Sequence, residues 1–403
     1  MRILVISQYF WPENFRLNDL CLELTERGHH VEVLTGIPNY PTGNFYKEYS
    51  IFKNRNQLWN KIKIYRAILI PRGRNNRILL VLNYLSFAVF SCIKLLFLKG
   101  NYDKIIVYQL SPAIVGFPAI LAKKIFKAPL FFYIQDLWPE SIKDAGGIKS
   151  NSIIKVIDSL MNIFYRKSDN IIVQSPAFIE YLVMKGINKK KISYIPNTVE
   201  PFYKPEVRIP EFNEKFPSGF NIIFAGNIGK AQDLNTIVDA AKILYKKGLK
   251  INWIFLGDGR DKDNIIEYVE ELGISEIFYF LGSFPTQQMP FFFACADALL
   301  VSLKKSTIFS LTIPSKVQSY FACKKPILAN VDGISFDIIN KFQCGYASNS
   351  ADSIALSVNA EKLYYSSKSD LENFGNNAFN YYNINFERSI VYDKLESLLL
   401  NVK

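Results

Sequence analysis

Histidine is almost missing from this chain of 403 residues: His29 and His30 are the only two, and they are adjacent. That argues against a metal cage built on imidazoles. Cysteine is sparse as well. Cys21, Cys92, Cys295, Cys323 and Cys344 are odd in number, scattered and without CxxC spacing. A disulfide frame or zinc site is not expected from them, and they suit a reducing compartment. There is no Gly/Ser linker, low-complexity tract or long block of like charge. The first turn after a predicted strand lacks GxGxxG, so a nicotinamide or flavin site fails there. The start, MRILVISQYF, has too short an apolar run for a secretory signal. No motif that reads RNA or DNA is present, so nucleic acid is not an expected partner.

What the chain does have is positive charge, apolar bulk and alternation. Lys and Arg number 48 against 36 Asp and Glu, a net +12. Such an excess serves solubility or meets an anionic partner, a membrane surface or a phosphorylated ligand. Hydrophobic content of 49%, with 15% aromatic, lies well above that of disordered chains. The length suits two α/β domains. Short apolar runs (RILVIS, HVEVLTG, KIIVYQ, LFFYIQD, NIIVQS, KISYIP) alternate with helical spacing such as Leu17, Leu20, Cys21 and Leu24 before Gly28. Residues 197–217 hold four prolines and little periodicity, which places a boundary there. A second alternation follows: FNIIFAG, INWIFLG, IFYFLG, ADALLVSL and KPILAN.

The expected architecture is therefore α/β, with two doubly wound, Rossmann-like domains of parallel strands facing a cleft. The domains are residues 1–200 and 201–385, followed by a C-terminal helix over 386–403 that could pack back on the first domain. Residues 78–98 are apolar and long enough to span a bilayer. They contain Asn83 and Lys94 and sit inside the αβ alternation, so a buried or surface-lying helix fits better than a spanning one.

Ligands of doubly wound sheets bind beyond the carboxyl ends of strands, so the turns there carry the chemistry. In SQYFWPENFR, Asn14 and Arg16 are polar and suit an acceptor. In QDLWPES, Asp136 and Glu140 are carboxylates that could orient an acceptor hydroxyl or take its proton. Capping and dipole compensation explain the same two residues without catalysis. Trp138 and Trp11 could stack on a sugar or belong to the core. His29, at a helix-to-strand junction, reads as structural. The second domain opens with AGNIGKAQDL, where Gly226 lets the backbone approach a ligand and Asn227, Lys230 and Gln232 are donors. The GDG at 257–259 reads as a turn needing φ > 0. In TIPSKVQSYFA, Pro314 suits the first helical position, and Ser315 and Lys316 present amides, a hydroxyl and an ammonium at the positive end of the helix dipole. A diphosphate cradle and a capped core helix are both compatible with that turn.

Taken together, YFWPENFRLNDLCLELTERGHHVEVLTGIPNYPTG, IQDLWPES, AGNIGKAQDL and PSKVQSYFACKKPILA resemble the retaining, nucleotide-sugar-dependent glycosyltransferases of the GT-B fold, of the glycosyltransferase family 4 type. Within these the chain is most similar to bacterial O-antigen and capsule enzymes, N-acetyl-L-fucosamine transferases among them. The resemblance runs over essentially the whole chain, and its opening and PSK block are the specific parts. It implies metal-independent transfer without a cofactor, from a nucleotide diphosphate sugar to a polyprenyl-diphosphate-linked glycan. The place implied is the cytoplasmic inner face of the membrane. Donor contacts are expected at Gly226, Asn227, Lys230, Gln232, Gly257, Arg260 and Ser283. Pro314, Ser315, Lys316 and Ser319 complete that set. Asp136, Lys316 and Glu140 are the catalytic candidates, and Asn14, Arg16 and Trp138 the acceptor candidates.

The chain departs from the family pattern at several places. The Arg and Lys of the turn after the second domain's first strand are replaced by Asn227 and Gln232, and Lys316 becomes the substitute charge. Two glutamates eight positions apart would fall at Leu311 and Ser319, and neither is acidic. A first-domain histidine near 109–111 is missing, leaving acceptor activation to Asp136 or to the donor phosphate. These gaps keep two other readings open, a nucleotide-sugar 2-epimerase and a membrane-associated binding protein without chemistry. Arg66, Arg72, Arg74 and Arg77 precede the apolar segment and could meet anionic headgroups.

Overall fold

The computed structural model describes residues 1–74, 76–144 and 150–402. The chain divides into two compact units, Met1–Ile195 with Tyr392–Lys403, and Pro196–Val391.

The N-terminal unit is one sheet of eight strands. They are β1 (Arg2–Ile6), β2 (His30–Gly36), β3 (Asn56–Trp59), β4 (Ile62–Ala67), β5 (Lys104–Gln109), β6 (Leu130–Ile134), β7 (Asn170–Val173) and β8 (Ile192–Tyr194). Their order is β3-β4-β2-β1-β5-β6-β7-β8. All neighbours pair in parallel except β3 with β4. The central parallel strands β1, β2, β5, β6 and β7 are largely apolar and buried because helices cover the sheet. The hairpin β3–β4 escapes such a reading. β3 alternates exposed and half-buried residues, β4 buries Ile62, Ile64, Arg66 and Ala67, and Asn60 and Lys61 both take positive φ, the two-residue turn that matches strand twist. The order reverses beside β1, whose neighbours are β2 and β5. That switch point, at the carboxyl ends of β1, β5 and β6, receives the turns 7–16, 110–112 and 135–141.

Helix α1 (Arg16–Glu26) buries Leu17, Leu20, Cys21 and Leu24 and ends before Gly28, whose φ is +87°. Helix α2 (Arg77–Leu96) is capped by Asn76, whose side chain accepts from the amides of Ile78 and Leu79. Next come α3 (Gly116–Phe126), α4 (Glu140–Asp144) and α5 (Asn151–Lys167). The C-terminal segment belongs to this unit. Arg27 Nη1 reaches Asp393 at 2.6 Å and Glu396 at 3.2 Å, and His29 Nε2 lies 2.9 Å from Glu396.

The C-terminal unit is a parallel sheet of six strands with a core on each face. They are β9 (Phe220–Ala225), β10 (Ile251–Leu256), β11 (Phe278–Gly282), β12 (Ala298–Ser302), β13 (Ile327–Asn330) and β14 (Gly345–Ser348), in the order β11-β10-β9-β12-β13-β14. Its switch point lies between β9 and β12. The boundary falls at 195/196, and the proline-rich stretch 197–217 lies in this unit. Phe212 stacks on Phe291 and meets Phe292 edge-on, and Arg208 donates to Ala294 O and pairs with Asp297. Proline erases helical and strand periodicity, but it does not prevent packing of the side chains between the prolines.

Candidate functional site

In the C-terminal unit a cavity of about 460 Å³ opens at the ends of β9 and β10. That volume is in the range of small-molecule sites. Its walls include Gly226, Asn227, Gly257, Ser283, Ser315, Lys316 and Ser319. Two glycines bring the strand-end turns together. A Cβ on Gly257, at φ +148°, would lie 1.9 Å from Gly226 O. A Cβ on Gly226, at φ +134°, would lie 2.7 Å from Lys316 Cε. Gly226 is thus what leaves room for the lysine.

Lys316 sits on the first turn of the helix Ser315–Ala322. Pro314 is the N-cap, with φ −63° and ψ 143°, one place earlier than the sequence reading put it. The first amides of a helix lack intrahelical acceptors and face the cavity mouth as donors. Tyr320 ties this helix to the sheet, its hydroxyl accepting from Ala225 N at 3.1 Å. Lys316 Nζ donates to Gln232 Oε1 at 2.6 Å and lies 3.6 Å from the centroid of the Phe224 ring. Burial pulls its pKa down to about 7. The helix N-terminus adds a positive potential in the same direction. The expected fixed counter-charge is therefore an ammonium that the empty site charges only in part. An entering diphosphate would complete it.

The remaining donor candidates divide. Gln232 acts through Lys316. Lys230 turns to a separate polar recess with Asp233, Asp261, Glu267 and Glu271. Arg260 and Pro314 lie outside the cavity lining. Ser319 lines the cavity with its hydroxyl donated to Ser315 O at 3.1 Å. The sequence reading missed Tyr203, Asp258, Phe284, Met289 and Phe293 in the wall. Tyr203 stacks on Phe293 with ring centroids 6.4 Å apart, an apolar flank able to hold a flat base. The one signal that pointed to Asp258 was its place in the GDG turn.

In the N-terminal unit a second polar cluster occupies the switch point. Asp136 follows β6, and burial raises its pKa above the usual carboxylate value while Ser111 Oγ donates to it at 3.4 Å. Tyr84 of α2 and Tyr9 hydrogen-bond each other, and Asp136 acts on Tyr84 electrostatically. Arg72 lies over the Tyr40 ring at 4.9 Å and 3.4 Å from Tyr9 OH. Glu13, absent from the sequence reading, is buried and pushed up to about 7 by desolvation. Its Oε1 accepts from the amides of Asn39 at 2.8 Å and Tyr40 at 2.7 Å, which fixes the loop after β2.

Of the acceptor candidates, Asn14 is exposed and Arg16 opens α1 near Tyr108 and Tyr133. Trp138 is half-buried, and its indole N–H has no hydrogen-bond acceptor among the described residues. Glu140 lies among cations, with Oε1 3.7 Å from Lys143 and 3.9 Å from Lys185. That contact holds α4 against the helix Pro176–Met184. Trp11 stacks on Trp59 at 5.3 Å. Arg66 cannot meet headgroups: it is fully buried, 4.9 Å over Tyr49, and donates to Trp11 O at 2.9 Å. Among the described residues no cluster of three His, Cys, Asp or Glu side chains is arranged to hold a metal ion.

Comparison with known proteins falls on both units. Residues 208–381 match the model of glycosyl transferases group 1, and residues 15–201 that of glycosyltransferase family 4. A probable glycosyltransferase of Pseudomonas aeruginosa, WbjE, is 27% identical over 266 residues, which span 64% of this chain and 65% of that protein. The putative colanic acid biosynthesis glycosyl transferase WcaI of Escherichia coli K12 is 23% identical over 344 residues, 80% of this chain and 81% of that one. Among solved structures, Anabaena HepE in complex with UDP and glucose superimposes with a TM-score of 0.69 at 15% identity, covering 100% of both chains.

Proposed function

We propose that the chain is a glycosyltransferase of the GT-B type, related to enzymes of polysaccharide biosynthesis, and that it moves a sugar from a nucleoside diphosphate sugar to a lipid-linked glycan. The observation that carries the donor half is the cavity at the carboxyl ends of β9 and β10. It joins two glycine turns, a helix N-terminus and a half-buried lysine without a carboxylate partner among the described residues. The donor is a UDP sugar, a choice supported by the UDP complex of HepE. N-acetyl-L-fucosamine is the sugar suggested by the resemblance of the opening and PSK block to such transferases. The acceptor is a polyprenyl-diphosphate-linked O-antigen or capsule glycan at the inner membrane face.

Transfer breaks the bond between the sugar's anomeric carbon and the diphosphate oxygen and forms one to an acceptor hydroxyl oxygen. The electron pair leaves with UDP. Lys316 and the first amides of its helix stabilise that charge, the kind of preorganised donor set that contributes most to such steps. The hydroxyl proton goes to Asp136 or to the departing phosphate. Asp136 suits the role because burial has raised its affinity for a proton. The configuration at the anomeric carbon is retained, and the step needs neither metal nor cofactor.

The test is a panel of radiolabelled UDP sugars with lipid-linked acceptors. Label transferred only when both are present is the expected result. Sugar isomerised or released without acceptor would make the chain a nucleotide-sugar 2-epimerase. The absence of a thermal shift with every UDP sugar would leave a binding protein without chemistry.

A further inference from the structure

Helix α2 turns an apolar face outward. The face it buries mixes polar and apolar side chains: Asn83 donates to Ile70 O at 2.6 Å and accepts from Gln8 Nε2 at 2.6 Å, Ser86 Oγ accepts from Ile70 N at 2.9 Å, and Ser91 is fully enclosed beside Phe87, Ala88 and Leu95. The face it exposes is apolar. Ile78, Val81, Leu85, Val89, Ile93 and Leu96 recur every three or four residues, a single stripe, with Ile78 73% and Leu96 65% exposed. A helix on the surface of a protein that stays in water turns a polar face to solvent. The apolar surface also continues beyond α2. Helix α3 packs on both α2 and α5, with Phe117 and Ile125 exposed on α3 and Ile153, Val156 and Ile163 on α5. An unpartnered face of that extent marks an interaction site.

Charge identifies the occupant. Between residues 67 and 135 Asp103 is the only acid. Arg74, Arg77, Lys99, Lys124, Arg166 and Lys167 are exposed around the helices. Of the 48 Lys and Arg, 29 fall in the N-terminal unit against 15 of the 36 acids, a net +14 that leaves −2 for the other unit. Apolar side chains ringed by cations fit an anionic bilayer surface. The inner side of the same helix carries Tyr84, hydrogen-bonded to Tyr9 in the polar cluster with Asp136. A helix is about 10 Å across, so a phosphate held at the headgroups would be one helix away from that cluster.

We propose that the outer face of α2, continued over α3 and α5, docks on an anionic bilayer with α2 lying in the membrane plane rather than crossing it. The inference deepens the membrane-side placement given above and does not depend on sugar transfer. Spanning is disfavoured because it would strip Asn83, Ser86 and Gln8 of their partners.

Pelleting of the full-length protein with vesicles of phosphatidylcholine and phosphatidylglycerol tests it. The wild type should pellet at low salt, be released by alkaline carbonate, and bind less to vesicles of phosphatidylcholine alone. Together, V81E, L85E and V89E change exposed positions and should weaken partition at least about tenfold. The UDP-induced thermal shift should stay unchanged in that variant, which keeps failure of docking separate from failure of the donor site. A wild type left in the supernatant at low salt, a triple variant that pellets as well as the wild type, or resistance to carbonate would each overturn the proposal. So would a dimer that the triple variant breaks without any vesicle binding, because a second copy would then cover the face.

Discussion

The two units share a doubly wound parallel sheet with a switch point at its centre, and they differ in where they bury charge. The N-terminal unit buries Glu13 and Arg66 and shows apolar side chains and surplus cations to its surroundings. The C-terminal unit keeps an ordinary polar surface and draws Lys316 into a cavity wall without an ion-pair partner among the described residues. The same architecture thus offers an apolar, cationic surface in one unit and a cavity in the other. The sheet fixes where ligands approach, and the turn residues decide which ligand.

Removing Lys316 sharpens the comparison most. Lys316→Ala should cut transfer roughly a hundredfold or more, the usual cost of losing a preorganised charge at a developing anion. Steady-state kinetics on the transfer reaction would show it, and unchanged turnover would take Lys316 out of the mechanism. Asp136→Asn tests the other unit. It should lower kcat on the order of a hundredfold with donor KM little changed. A pure rise in donor KM would make Asp136 a binding residue instead.

A smaller effect comes from pH. Donor phosphates favour charged Lys316, whose pKa in the empty site is about 7. Affinity for a UDP sugar should therefore be highest below pH 7 and weaken by up to about tenfold per unit above it, until the pKa of the complex is reached. Calorimetric titration from pH 6 to 9 measures this, and a flat profile would contradict it.

The smallest effect is on stability. Unfolded lysine titrates near 10.4. The unfolded chain therefore binds more protons than the folded one between about 7 and 10.4, and wild-type stability rises with pH across that window. The penalty of charging the buried amine is fully present below pH 7. Lys316→Met should raise Tm most at pH 6 and progressively less toward pH 10. Equal shifts at both ends would mean that the amine is not desolvated.

Much of the fold was legible because apolar β-branched runs and helical spacing are local signals. The hairpin Asn56–Ala67 was not, since β3 is half-exposed and its turn carries no glycine. The stretch 197–217 marked the boundary to within a few residues, but its prolines hid the packing of Phe212. In the site, the glycine turns and the PSK helix could be read directly. Tyr203 and Phe293 could not, for a chain so rich in aromatics gives no reason to single them out. Burial of Glu13, Arg66 and Lys316 arises from distant segments meeting, so neither the charge state of Lys316 nor the enclosure of Arg66 has a local signature. Lys230 looked equivalent to Asn227 in sequence, and only the direction of the turn separates them.

The central claim is that the C-terminal cavity binds the donor's diphosphate through Lys316. Its most direct test is calorimetric binding of UDP at pH 8 in buffers of different ionisation heat. At that pH the terminal phosphate, with a pKa of about 6, is already ionised. Most of the empty site's Lys316 is neutral there. Uptake approaching one proton per UDP, lost in Lys316→Met, is the predicted result. Binding without proton uptake, or uptake that survives the substitution, would contradict it.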